Sequence, residues 1–367
     1  MTKTLITGAG GYLGARIARK RLLDSQESVI LWLHAADTQE FERKKGLLVP
    51  QFAEFGNRVE FAGGELTAER PFVEVLPEAV TRIVHTAALT QFNIDEKLGG
   101  AVNIDGSSKL FSFARKCPNL ENILFLSSIY ASGLREGDVP ENLLDDSTGF
   151  ANHYEWSKWG AERCLQQEYG DLPWTIARTA TVIANDTTGS VTQFNAIHNT
   201  LRLLYYGLVS LLPGAMDTPV YVVTGDFAAN AVSRLTGLRG KSQVYHVCHG
   251  RSESIELGGF LELVMAAYRA DRAFVKSGIK PPIFCDLQSF RLLAEEAERF
   301  SGGVVRQAVG SVAAFAQQLY IVKDIANDRM RCVMEDYSAP DAAELVGKTC
   351  RWLVTTRWGR EVSDDAA

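Results

Sequence analysis

The sequence predicts an α/β fold, a doubly wound parallel sheet with a mostly helical C-terminal substrate-side region. Three observations carry that expectation. Up to about residue 185, short β-rich runs alternate with helical stretches. Those runs are continuously apolar rather than polar–apolar in alternation, which suits strands covered on both faces. From residue 254 onward the alternation is gone and the chain reads as mostly helical. Strand–helix repetition of this kind specifies a parallel sheet with helices on both sides.

Taken in order, strands are predicted at residues 4–6, 29–33, 59–61, 83–85, 123–127 and 174–178, with helices at 14–23, 39–55, 102–116 and 154–169. A further helix is expected over residues 191–208, before the turn Pro213-Gly214. Residues 220–223 and 244–247 read as short strands that either extend the sheet or form a small accessory one. Residues 1–250 form the expected first unit, with 185–250 contributing to the substrate side, and residues 251–367 form the helical cap. The long apolar stretch 304–325 reads as one helix, a core helix of the cap, a wall of an acyl-chain tunnel or a membrane-surface face.

Composition sets the limits. With 46% hydrophobic residues in 367, the chain can bury a sizeable core. Its 38 basic and 44 acidic residues give a net charge of −6, which argues against broad nucleic-acid binding. No uninterrupted apolar run reaches the length of a membrane span. The first strand follows Met1 almost at once, leaving no room for a signal peptide and favouring a cytoplasmic location. The six cysteines form no C-x-x-C pair and are expected as reduced thiols, with no metal site.

The chemistry begins at residues 7–14. Gly8, Gly11 and Gly14, with Gly10 between them, make a tight turn from the first strand into a helix that starts near Tyr12 and Leu13. Such a turn aims backbone N–H groups at a positive helix end and fits a dinucleotide pyrophosphate. Tyr154 and Lys158 lie four residues apart on a predicted helix and so share a face. A cation beside a phenol is expected to lower the tyrosine pKa. That prepares Tyr154 to protonate an oxygen that has just received hydride. Ser127 and Ser128 end a strand, where doubly wound sheets bind ligands. Ser128 is expected to be the catalytic hydroxyl and Ser127 to be structural. His153, His246 and His249 read as structural histidines.

These residues together resemble the extended short-chain dehydrogenase/reductases. Residues 7–14 resemble that family's TGxxGxxG turn, and His85-Thr86-Ala87-Ala88 resembles its H-x-A-A segment. Asn103 to Gly106 resembles the N-x-x-G segment, and Leu126-Ser127-Ser128 with Tyr154 and Lys158 completes the set. Within the superfamily the chain is most similar to thioester reductase domains and fatty acyl-CoA reductases. The similarity rests on Phe92, Asp95, Leu98, Ala101 and Asn103, on Tyr154 to Glu162, on Leu172 to Arg178, and on Thr188-Gly189 with Phe194.

The resemblance implies a (Rossmann) nicotinamide cofactor held by Gly8, Gly10, Gly11, Tyr12, Leu13, Gly14, His34, Glu65, Leu66, Ala87, Ala88, Asn103, Ser127, Tyr154, Lys158 and Thr181. Ser128, Tyr154 and Lys158 would act on an acyl thioester carried by coenzyme A or a carrier protein, giving an aldehyde or alcohol. A homodimer fits the family pattern. Two departures stand out: Thr179 where proline is usual, and Glu65-Leu66-Thr67 where Asp-Leu-Thr is usual. His34 occupies a position at which these reductases usually carry arginine, and no carboxylate sits at that strand tip, so NADP is favoured over NAD. The same scaffold also supports nucleotide-sugar epimerases or dehydratases and ketoreductases.

Overall fold

Seven parallel strands form the central sheet, in the order β7-β6-β5-β4-β1-β2-β3. They are β1 (Lys3–Thr7), β2 (Ser28–His34), β3 (Val59–Gly64), β4 (Arg82–His85), β5 (Asn122–Ser128), β6 (Trp174–Thr179) and β7 (Gln243–Val247). The computed structural model describes residues 3–300, 303–334 and 339–360. The strand order reverses between β1 and β4, which opens a crevice at their carboxyl ends. The six strands expected in the first half all form, and residues 244–247 extend the sheet beside β6. Residues 220–223 split instead. Pro219–Val220 pairs antiparallel with Ile255–Glu256, while Val222–Thr224 runs parallel to Thr181–Ala184.

The strands are apolar throughout because helices cover both faces. On one side α1 (Tyr12–Asp24) and a later helix, Gly225–Gly237, pack over Ile6, Leu31, Val84 and Leu124. Helix α2 (Thr38–Phe52) joins this side through Leu48 and Phe52, while α3 (Gly106–Ala114) and α4 (His153–Glu168) cover the other face. Leu110, Phe111, Ala161 and Leu165, from α3 and α4, meet Leu5, Ile83, Ile123 and Ile176 of the sheet.

The helix expected over 39–55 stops at Phe52, and a 3-10 turn over Ala53–Arg58 follows, with Gly56 at φ +53°. The segment before α3, Gly100–Asp105, is a π-helical turn. The helix expected over 191–208 is shorter, α5 (Ala196–Tyr205), set by an Asn195 cap.

A second core lies beyond the carboxyl ends of the strands. It draws residues from both sides of residue 250: Ile183, Leu201, Leu204 and Leu212 pack with Phe260, Val264, Tyr268, Val346 and Leu353. The expected single helix over 304–325 is not formed. The helix Gly303–Ala313 ends there, Phe315 leaves the helical conformation, and a 3-10 turn (Ala316–Tyr320) leads into a strand, Lys323–Ile325. Tertiary pairing overrides the helix-like composition, because this strand runs parallel to Gly137–Val139.

Candidate active site

One cavity of about 660 Å³ runs along the carboxyl ends of the strands and into the second core. The glycine turn forms part of its wall. Gly8 sits at φ +70°, and a Cβ there would lie 2.7 Å from the Ala87 nitrogen. A Cβ on Gly14 would meet the Gly8 carbonyl at 2.2 Å, so the helix can approach the turn this closely only without one. The first turn of α1 carries no acidic side chain. It leaves the N–H groups of Tyr12, Leu13 and Gly14 without helical partners. This cradle fits a pyrophosphate, and its residues fit a dinucleotide along the rest of the crevice.

Of the residues expected to bind cofactor, Gly8, Gly11, Tyr12, Leu13, Gly14, His34, Glu65, Leu66, Ala87, Ala88, Tyr154 and Thr181 line the cavity. Gly10, Asn103, Ser127 and Lys158 are not on its wall. Asn103 instead ties the segment after β4 to α4. Its Oδ1 accepts from the Leu89 N–H at 2.8 Å, and its Nδ2 donates to the Leu89 carbonyl and to Ser157 Oγ, each at 2.9 Å. His85 lies behind the glycine turn. Ser107 Oγ donates to the Asn103 carbonyl, so it accepts from His85 Nε2, and Nδ1 accepts a hydrogen bond from Thr7 Oγ1 at 2.6 Å. Burial pushes that imidazole down to about 3, so it is neutral.

Ser128 and Tyr154 meet at the middle of the cavity. Both are buried, and they share a hydrogen bond. Ser128 Oγ also accepts from the Tyr130 N–H at 3.3 Å. Burial raises the Tyr154 pKa to about 12, and the Ser128 hydrogen bond pulls the other way. The shift runs opposite to the lowering expected from Lys158: desolvation of the phenol dominates, and Tyr154 is a protonated donor at neutral pH. Lys158 lies beneath, donating from Nζ to the Leu126 carbonyl at 2.7 Å, with the Phe125 ring 4.5 Å away. Burial lowers its pKa to about 8, against the opposing charge of Glu162.

Ser127 points into the protein, where its Oγ donates to Glu162 Oε1 at 2.5 Å. Glu162 in turn accepts from Arg178 at 2.6 Å, and the Arg178 side chain is fully buried. Arg178 reaches the Asn142 carbonyl at 3.0 Å and His246 Nε2 at 3.3 Å. This network fixes the ends of β5 and β6, and so the height of Ser128. Thr179 closes β6 opposite Ser128 and faces the cavity.

Sequence reasoning missed several cavity residues. The Phe92 ring stands edge-on to Tyr130 and to Tyr154, 5.5 Å from each, and 5.8 Å from Phe315. Tyr130 is two residues past Ser128, and its hydroxyl lies 3.3 Å from Thr181 Oγ1. Gln318 and Lys323 carried no local signal. Gln318 Nε2 donates to Glu155 Oε2 and to the Gly133 carbonyl, each at 2.9 Å. Lys323 Nζ donates to Ser132 Oγ at 2.8 Å. Burial pushes the Glu155 carboxyl up and the Lys323 ammonium down. The segment from Phe315 to Lys323 thereby braces the start of α4, which carries Tyr154. Among the described residues of the expected helix, those that face the site are Phe315, Gln318, Leu319, Ile321 and Lys323, all beyond the end of the α-helix.

A family model described as Male sterility protein, an NAD-binding family, matches residues 6–232. The chain belongs to this family. Fatty acyl-CoA reductase wat of Drosophila melanogaster is 26% identical over 187 residues, covering 43% of this chain and 36% of that protein. The isonitrile lipopeptide synthase of Streptomyces coeruleorubidus is 26% identical over 222 residues, covering 54% of this chain and 14% of that protein. The chain thus spans about a third and about a seventh of the lengths of these two relatives. Among solved structures, the terminal R domain from the myxalamid PKS-NRPS biosynthetic pathway superposes with a TM-score of 0.74 at 18% identity. That match covers 97% of this chain and 91% of that one. At that identity the likeness establishes the fold alone.

Proposed function

We propose that the protein is an NAD(P)H-dependent reductase of an acyl thioester, carried by coenzyme A or a carrier protein. The observation that carries this reading is the continuity of one cavity. It joins the glycine cradle, the Ser128–Tyr154 pair and an apolar chamber lined by Leu201, Leu204, Leu212, Phe260 and Leu261. A bound reduced nicotinamide supplies hydride to the carbonyl carbon. Ser128 and Tyr154 donate hydrogen bonds to the carbonyl oxygen as negative charge develops on it. Tyr154, protonated at neutral pH, delivers its proton, and Lys158 places positive charge close beneath. The hemithioacetal would collapse to an aldehyde and a thiol, and a second equivalent of reduced cofactor would be needed to take the aldehyde to an alcohol. The apolar chamber takes the acyl chain and keeps water from the reacting carbonyl.

The names of the relatives support the thioester class: a fatty acyl-CoA reductase, and structural neighbours from carrier-linked assembly lines. His34 at the end of β2 supports acceptance of the NADP 2′-phosphate. A cytoplasmic setting agrees with six free cysteines. Among the described residues no helix is long and apolar enough to cross a membrane.

The test is NAD(P)H oxidation against acyl-CoAs, acyl carrier proteins, aldehydes and nucleotide sugars. Thioester-dependent oxidation with release of free thiol is the expected result. Turnover of a nucleotide sugar alone, with no net cofactor oxidation, would replace this reading with an epimerase.

A further inference from the structure

The adenine-side mouth of the cavity holds a histidine and a lysine, and each is already engaged by a carboxylate. His34, the last residue of β2, donates from Nε2 to Glu65 Oε2 at 2.7 Å. Lys44, on α2, pairs with Glu40 at 2.8 Å and donates to the His34 carbonyl at 2.7 Å. Glu40 also accepts from the Ala36 N–H at 2.8 Å. Glu65 is itself held in place, because its Oε1 accepts from the Thr67 N–H at 3.3 Å and from Thr67 Oγ1 at 3.1 Å. Burial pushes the Glu65 carboxyl up, but the hydrogen bonds from Thr67 and His34 together hold it below the ordinary range. It is an anion at neutral pH, and both His34 and Glu65 line the cavity.

A 2′-phosphate on the adenine ribose would need the positive charge of this mouth. It would meet Glu65 across from His34, with Lys44 already balanced by Glu40. A free 2′-hydroxyl has no such conflict, since a carboxylate accepts its proton. We propose that Glu65 is a specificity-determining residue: by holding His34 and placing its own charge at the mouth, it selects against the 2′-phosphate. The side chain one methylene longer than aspartate is what spans the gap to His34. The favourable effect of His34 on NADPH is thus partly cancelled, and the protein accepts both nicotinamide cofactors with a narrow preference. This inference rests only on the dinucleotide part of the proposed function and not on the acyl chemistry.

The test is calorimetric titration with adenosine 2′,5′-bisphosphate and with 5′-AMP, which involves no turnover. Glu65→Gln removes the charge at a half-buried position, and a thermal melt checks the fold. The bisphosphate is expected to bind roughly three- to tenfold more tightly to the variant, given the modest strength of exposed charge pairs and two charges on the phosphate. 5′-AMP should change less than twofold. The gain should shrink in 0.5 M salt, because screening is then on the scale of a few ångströms. Adding His34→Ala to Glu65→Gln should erase most of the gain, since the freed imidazole is what the phosphate engages. Equal changes for the two ligands, no change for either, or a gain that survives His34→Ala in full would each overturn the proposal. A failure to reduce thioesters would leave these titrations readable and would count against the acyl reading alone.

Discussion

Replacing Lys158 by methionine is expected to make the protein more stable at pH 7 while removing most of its turnover. The ammonium is buried, and burial lowers its pKa from 10.5 to about 8. At about 1.4 kcal/mol per pH unit, keeping that charge in the folded state costs about 3 kcal/mol at neutral pH. Methionine fills a similar volume without the charge and loses the hydrogen bond to the Leu126 carbonyl, worth about 1 kcal/mol. The net gain at pH 7 is therefore about 2 kcal/mol.

The sign with pH follows from the direction of the shift. The folded-state pKa lies below the unfolded one, so the penalty is complete below pH 8 and is relieved as pH rises from about 8 to 10.5. Wild type should gain on the variant over that window and draw level near pH 10. Tyr154 titrates in both proteins and cancels in the difference. Urea unfolding at pH 7 and pH 10, with NAD(P)H oxidation measured alongside, reads both effects. A variant less stable than wild type at pH 7, or a difference independent of pH, would refute the reasoning.

Tyr154→Phe should keep the fold and cofactor-fragment affinity but lose roughly 10²–10⁴-fold in kcat, the usual worth of a general acid; near wild-type turnover at saturating substrate would remove Tyr154 from the mechanism. Glu162→Ala strands the fully buried Arg178 guanidinium and releases Ser127, and should destabilise the protein by about 3–5 kcal/mol in a denaturant titration. A loss under 1 kcal/mol would mean that Arg178 finds other partners. Ile321→Trp, on the C-terminal wall of the cavity, should shift chain-length preference toward shorter acyl groups while 5′-AMP binding stays within twofold. A uniform loss across all chain lengths would argue against an acyl chamber at that wall.

The sheet was legible because its strands are buried on both faces and so read as unbroken apolar runs. The Gly8–Gly14 turn and the Tyr154–Lys158 spacing were legible because both are local: one turn of backbone and one turn of helix. The brace from Gln318 to Glu155 spans 163 positions in sequence and lies in a segment composed like a helix, so no periodicity could reveal it. The raised pKa of Tyr154 is hidden from the sequence for a related reason. Spacing shows that a lysine is near, but only the packed structure shows that the phenol is fully desolvated. The engagement of His34 by Glu65 was hidden as well, since the two residues sit on successive strand ends 31 positions apart.

The parallel pairing of Lys323–Ile325 with Gly137–Val139 has a consequence for how the protein is made. During synthesis the sheet through β6, with Ser128, Tyr154 and Lys158, emerges well before the segment that braces it. Lys323 follows Lys158 by 165 residues (323 − 158), roughly 8 to 30 s at ordinary elongation rates. Parallel, long-range pairing is also intrinsically slow to form. Newly made chains therefore hold Ser128 and Tyr154 before the wall beside them is closed, with Phe92 and the apolar chamber open to water. Activity should rise only after the last segment docks, and the interval before that is when a nascent chain most needs protection from aggregation.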